Sequence, residues 1–138
     1  MIGKTKKENS GVPLKLMVNF EMIGTILSSG ENQVYLTGFD KSDFAENINQ
    51  ILNKEFLTKL KDYERLFRMS DNYPFYQEFG IPAHTISTFD FKNFEYFHKP
   101  GDEVERLEIK NMNSIINLSS LAILNLANGD LPINLKKE

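Results

Sequence analysis

Leu14-Lys15-Leu16-Met17-Val18-Asn19-Phe20 is an apolar run broken only at Lys15 and Asn19. A run this short and continuous suits a buried strand, although periodicity alone leaves a helix open. Gln33-Val34-Tyr35-Leu36-Thr37-Gly38 is a second candidate strand, rich in β-branched and aromatic residues. Arg65 to Met69 is a third, and Ile81 to Thr88 a fourth. Helical patterns lie between and after them. Ser42 reads as the N-cap of a helix on which Phe44, Ile48, Ile51 and Leu52 share one face. Residues 53–63 are charged, with Phe56, Leu57 and Leu60 as an apolar set that suggests a second helical stretch. Tyr73 to Phe79 reads as a short helix with Pro74 in its first turn and Gly80 at its end. Asn111 to Asn128 is the clearest helix, so rich in Ile and Leu that it is expected to be well buried, with Gly129 as its stop. Residues 28–32 form a turn, and residues 89–103 a long aromatic loop. Strands alternating with helices point to an α/β fold with a mostly parallel central sheet between helical layers. Parallel strands are buried on both faces, which accounts for their near-continuous apolar runs.

The 138 residues suit one domain or a piece of one. Residues 1–13 are polar, end in Gly11-Val12-Pro13, and are expected to be a flexible start; residues 14–138 form the folded unit. With 41% hydrophobic and 25% charged residues the chain can build a core, so disorder is not expected. The formal net charge of −3 argues against general nucleic-acid binding, which needs a basic surface to displace counterions. The absence of Cys removes disulfides, thiolate metal sites and a Cys nucleophile. No apolar run approaches the ~20 residues that span a bilayer. Met1-Ile2-Gly3-Lys4-Thr5-Lys6-Lys7 has a basic start with no apolar stretch behind it, so it does not read as a signal peptide.

In open α/β sheets reactive groups gather beyond the carboxyl ends of the strands. Glu21 follows the first candidate strand, Asp71 the third, and His98 lies in the loop after the fourth. An unpaired carboxylate beside a buried run is costly, so Glu21 needs a cation, a donor cluster or water, the plain alternative being a carboxylate turned to solvent. His98 is either a metal ligand, typically oriented by a further acceptor, or a surface histidine. Asp102, four residues on, could be that acceptor or a loop-end cap. Asp71 could cap the helix that follows it. Tyr96 offers a hydroxyl to a developing oxyanion, or simply packs. His84, inside a strand, reads as a packed or hydrogen-bonded residue before it reads as a ligand. Phe89, Phe91, Phe94, Tyr96 and Phe97 could wall an apolar pocket or pack the loop. No glycine-rich phosphate loop, GxSxG elbow or HExxH helix is present.

Four segments in order carry a resemblance. Val18-Asn19-Phe20-Glu21-Met22-Ile23-Gly24, Ser70-Asp71-Asn72-Tyr73-Pro74-Phe75, Gly80-Ile81-Pro82-Ala83 and Tyr96-Phe97-His98-Lys99-Pro100-Gly101-Asp102 resemble motifs of the zinc aminopeptidases. That family includes bacterial leucyl aminopeptidase, vacuolar aminopeptidase Y and, more distantly, glutaminyl cyclase. Phe97 intervenes between the Tyr and His of the last motif, Glu21 stands where Asp is commoner, and Asn72 where His is commoner. The resemblance spans residues 14–128 and implies a three-layer α-β-α fold with two zinc ions sharing a bridging carboxylate.

Carried over by position, it makes Glu21 and His98 ligands of the same zinc. Asp71 lies toward the substrate or behind the ligands, Asp102 sets the loop that presents His98, and Tyr96 polarises the scissile carbonyl. The substrate implied is a peptide with a free N-terminus, attacked by metal-activated water. The family's His-x-Asp element, bridging Asp and Glu-Glu pair, whose first Glu is the general base, have no counterpart in residues 1–13. The chain is therefore expected to be the C-terminal part of such a catalytic domain, with at most one partial zinc site, little or no activity alone, and an exposed sheet edge open to self-association. A non-catalytic remnant or binding module keeping the fold is the rival reading, and a glutaminyl-cyclase-like acyl transfer a further one. Many relatives are exported or periplasmic, which is what the resemblance implies for the compartment.

Overall fold

A computed structural model describes residues 11, 13–61, 63–129 and 132–137, with Tyr63 described for its backbone only. Residues 1–10 and 12 of the expected flexible start lie outside the described residues. Four strands, β1 (Met17–Phe20), β2 (Val34–Leu36), β3 (Leu57–Thr58) and β4 (Ala83–Ser87), form one sheet in the order β1-β4-β2-β3. Among the described residues four α-helices accompany them: α1 (Phe44–Leu52), α2 (Tyr63–Met69), α3 (Asn72–Phe79) and α4 (Ile109–Asn128). β1 pairs with β4, and β2 with β3, in parallel; β2 and β4 meet antiparallel. The sheet is thus mostly parallel, as the α/β reading requires, with one antiparallel seam that the sequence pattern does not announce.

Alternation along the strands separates two unlike faces. On one face Val34, Leu36, Leu57 and Ile86 join Phe44 and Ile48 of α1 and Ile115, Ala122 and Leu126 of α4 in the apolar core, with Val18 packed against it. On the other, Thr37 and Thr85 meet Asn72, which opens α3, and Asn19 meets Thr85. Helices therefore cover both faces, one through an apolar core and one through a polar network.

Two expectations are corrected. Residues 65–69 are helical within α2, not a strand. The segment has no β-branched residue, its Leu, Arg and Met favour helices, and Glu64 and Arg68 pair at 3.4 Å one turn apart. Its buried residue, Phe67, meets Tyr73 and Tyr76 of α3 edge-on at ring separations of 5.4 and 5.2 Å. Conversely, of the residues 53–63 expected to be helical, the described 53–61 form no helix. Asn53 ends α1 in a left-handed conformation, and Leu57–Thr58 becomes the edge strand β3. The Asn49 carboxamide fixes that strand, accepting from the amides of Phe56 (3.0 Å) and Leu57 (2.8 Å) and donating to the Leu57 carbonyl (2.9 Å).

The remaining elements fall where expected. Gly80 closes α3 with φ 61° and Gly129 follows α4. However, α4 is not buried all round. Asn111, Ile115, Ser119, Ala122 and Leu126 make one buried stripe, while Ile116, Leu121 and Leu124 are exposed. Among the described residues no helix is long and apolar enough to cross a membrane.

Candidate functional site

Glu21 follows β1 directly, and its amide extends the ladder to the Ile86 carbonyl of β4 (3.2 Å). Its carboxylate is held from two sides. Asn19 Nδ2 donates to Oε2 at 3.1 Å, and Ser70 Oγ lies 3.1 Å from Oε1. Ser70 Oγ also lies 2.8 Å from the Leu66 carbonyl, and its single proton serves one of these acceptors at a time.

Behind Glu21 the polar face continues inward. Asn19 Nδ2 also reaches Thr85 Oγ1 (3.3 Å), which donates to Asn72 Oδ1 (2.8 Å). Thr37 Oγ1 donates to the same oxygen (3.2 Å) and accepts from the Thr85 amide (2.9 Å), while Asn72 Nδ2 donates to the Ala83 carbonyl (3.2 Å). Asn72 is fully buried. Standing where the resembling family more often has His, it acts here as the hub that satisfies two strand hydroxyls. Asn19, Ser70 and Thr85, which hold Glu21 or its holder, were missed by sequence reasoning; only their place in and next to the quoted motifs pointed to them.

Asp71 is exposed at the N-cap position of α3, and its side chain makes no capping bond. Asp43, not the expected Ser42, occupies the N-cap position of α1 and makes no side-chain capping bond; the Ser42 hydroxyl, one residue before it, accepts from the Phe44 amide at 3.2 Å and is shared with His84, whose Nε2 lies 2.6 Å away. His84 Nδ1 faces the Thr37 carbonyl at 2.9 Å. A carbonyl only accepts, so Nδ1 carries the proton and Nε2 receives the Ser42 hydroxyl. Burial lowers the His84 pKa to about 4, against a smaller upward pull from that carbonyl. The ring also stacks on Phe44, with centroids 5.3 Å apart. This is the packed, hydrogen-bonded histidine expected.

The loop after β4 carries the rest. His98 has a left-handed backbone (φ 57°), is exposed, and stacks on Phe97 with ring centroids 3.9 Å apart. Phe97 in turn packs on Phe89 (4.5 Å) and Phe91 (6.1 Å). Phe94 and Tyr96 pair with each other at 5.7 Å, and Phe94 joins Phe89 and Phe97 in lining one cavity. The Tyr96 ring is clamped by the Arg106 guanidinium, 3.8 Å from its centroid, and by the close approach of Gly101, where a Cβ would meet its Cδ1 at 2.5 Å. Asp102 is exposed; its amide donates to the Lys99 carbonyl (3.0 Å), and its carboxylate is not bonded to His98 among the described residues. Met22 and Phe97, the chain neighbours of Glu21 and His98, line one cavity of about 90 Å³ together with Asp102.

Tyr35 reports on the same region. Burial raises its pKa; the Ser87 hydrogen bond opposes this, and the Glu21 and Asp90 charges add to it. Its hydroxyl donates to the Phe89 carbonyl at 2.8 Å.

A catalytic zinc usually takes three protein ligands and leaves one position open. Among the described residues no group of three or more His, Asp or Glu converges as such a site would require. Glu21 and His98 have suitable donor chemistry, and each Glu21 oxygen keeps a lone pair beyond its hydrogen bond. Alone they do not complete the coordination.

A family model described as peptidase family M28 matches residues 3–123. No curated protein and no solved structure matches the chain.

Proposed function

The chain belongs to peptidase family M28, and from that premise we propose that it forms one wall of a zinc-dependent aminopeptidase site. Membership points to metallopeptidase chemistry in general. The finer reading makes Glu21 and His98 ligands of one zinc and the substrate a peptide with a free N-terminus. One observation carries it: Glu21 directly follows β1, the loop bearing His98 follows its parallel neighbour β4, and Met22 and Phe97 beside the two residues line one cavity at the edge where α/β sheets gather reactive groups. Zinc supplies a Lewis acid for a peptide carbonyl and acidifies a bound water. The chain's own residues supply placement. Asn19 and Ser70 fix the carboxylate of Glu21, Phe97 supports the imidazole of His98, and Asp102 lies in the turn that follows it. Tyr96, clamped by Arg106, is the candidate for orienting the scissile carbonyl, and Asp71 faces solvent on the substrate side. No general base is assigned in this chain.

The lack of a three-donor group among the described residues favours one second reading, a non-catalytic module that keeps the fold. Zinc per chain in dialysed protein separates the two. Stoichiometric zinc, lost in both Glu21→Ala and His98→Ala, supports the peptidase reading, and hydrolysis of an aminoacyl arylamide by the loaded protein then tests its specificity. Zinc no higher in wild type than in the variants supports the module.

A further inference from the structure

A cleft of about 590 Å³ lies between the segment leading into α2 and the loop after β4. Leu60, Leu66 and Phe91 give it an apolar lining, and Lys61, Arg65 and Lys92 bring three cations to it. None of the three pairs with a carboxylate among the described residues, although Lys41, Lys59, Arg68 and Lys136 all do. The cleft's own carboxylate, Asp90, stays ionised and offsets one of the three charges, but forms no ion pair with any of them among the described residues. Burial raises its pKa, but hydrogen bonds from the Ser28 hydroxyl and the amides of Ser28, Lys92 and Asn93 outweigh that and hold it below the ordinary value. Those donors occupy its oxygens and fix the loop. In a chain of net charge −3, three cations against one carboxylate among the described residues lining one concavity are a local reversal of sign.

The cleft is linked to Glu21 through Leu66 and Ser70. Leu66 lines the cleft, and the Leu66 carbonyl lies 2.8 Å from the Ser70 hydroxyl that reaches Glu21. At its wall Phe91, half exposed, holds a left-handed backbone (φ 65°), unusual for so bulky a residue.

We propose that this cleft binds an acidic side chain of a peptide ligand, its aliphatic stem on Leu60, Leu66 and Phe91 and its carboxylate toward Lys61, Arg65 and Lys92. A carboxylate on a short apolar stem matches cations set around an apolar floor, whereas a lysine or arginine side chain would meet like charge. The inference rests on the peptidase reading for the ligand being a substrate, and it makes acidic residues near the scissile bond the preferred class.

The test titrates the metal-free chain calorimetrically with glutamyl-, glutaminyl- and lysyl-dialanine amides, in which the glutamyl side chain is the only carboxylate. The glutamyl peptide is expected to bind at least ~5-fold more tightly than the glutaminyl one, the size of one or two partly exposed charge contacts. Arg65→Gln and Lys92→Gln, both at exposed positions, should each shrink that preference, and the double variant should abolish it. Equal binding of the glutamyl and glutaminyl peptides overturns the proposal. So does displacement of the glutamyl peptide by inorganic phosphate at equal concentration, which reveals attraction for any anion. Acid-selective binding by a chain that neither retains zinc nor hydrolyses peptides upholds the cleft and removes the peptidase reading. Hydrolysis indifferent to the acidic residue does the reverse.

Discussion

His84 is a neutral imidazole sealed in the core, and its neutrality ties stability to pH. Its folded pKa, about 4, lies below the ordinary 6.5, so the unfolded chain binds the proton more readily. The contribution is complete above pH 6.5 and is lost as pH falls toward 4. The gap corresponds to about 3 kcal/mol. Denaturant unfolding at pH 7 and pH 4 should show wild type losing more stability than His84→Gln by up to that amount; identical losses would mean that His84 does not titrate on unfolding. Asn72 makes the matching test on the other face. Asn72→Ala strips the acceptor from the Thr37 and Thr85 hydroxyls and the donor from the Ala83 carbonyl, all buried. Urea unfolding should register a loss of about 2–4 kcal/mol; a loss below about 1 kcal/mol would show that the network is dispensable. At this scale the sequence revealed position more readily than partnership. The placement of Glu21 after β1 and of His98 in the loop after β4 was legible, because apolar runs marked both strands. That Asn19, Ser70, Thr85 and Asn72 support Glu21 was not, because such bonds depend on strand register and on a helix start seen only in three dimensions.

Gly38 shows what an element boundary demands. It turns the chain after β2 with φ 64°, and a Cβ there would lie 2.5 Å from Phe67 Cε2 in α2. Gly38→Ala therefore adds both backbone strain and a clash, and should cost about 2–4 kcal/mol by thermal or denaturant unfolding. A Phe67→Leu background removes the ring edge, so the same substitution should cost less there; equal costs in both backgrounds would place the whole penalty in the backbone. This contact also explains why α2 resisted sequence reading. Arg65 to Met69 is short and apolar enough to resemble a strand, and its helical state is fixed by Phe67 packing under Gly38 and against Tyr73 and Tyr76. β3 failed in the opposite sense. Two residues carry no period, and the strand exists because Asn49 on α1 binds Phe56 and Leu57. The long helix, the Gly80 stop and the apolar strands needed no such help, and they were legible.

Across the whole molecule the two sheet faces differ, and so do its edges. Beyond β3 the ladder is only two residues long, a short edge of the kind that discourages further pairing. β1 at the other edge is longer, pairs only with β4 among the described strands, and carries exposed apolar groups at and just beyond its end, with Phe20 at 42% and Met22 at 41%. Neither Pro nor a charged residue interrupts Met17–Phe20. The alternation of strands and helices made the α/β class readable, while the antiparallel β2–β4 seam was invisible because neighbours in a sheet are chosen by the whole fold. The β1 edge, unpaired on its outer side among the described residues, can be tested as association. An unpaired strand edge of this length offers its backbone to another copy, and the apolar groups beside it add to the burial that pairing would gain. Sedimentation velocity across a hundredfold concentration range should show wild-type mass rising with concentration. Phe20→Lys, at a position already open to solvent, should hold the chain at monomer mass with its thermal stability unchanged. Wild type that stays monomeric throughout would mean that β1 is not an adhesive edge; association unaffected by Phe20→Lys would direct attention instead to Ile116, Leu121 and Leu124, the exposed side of α4.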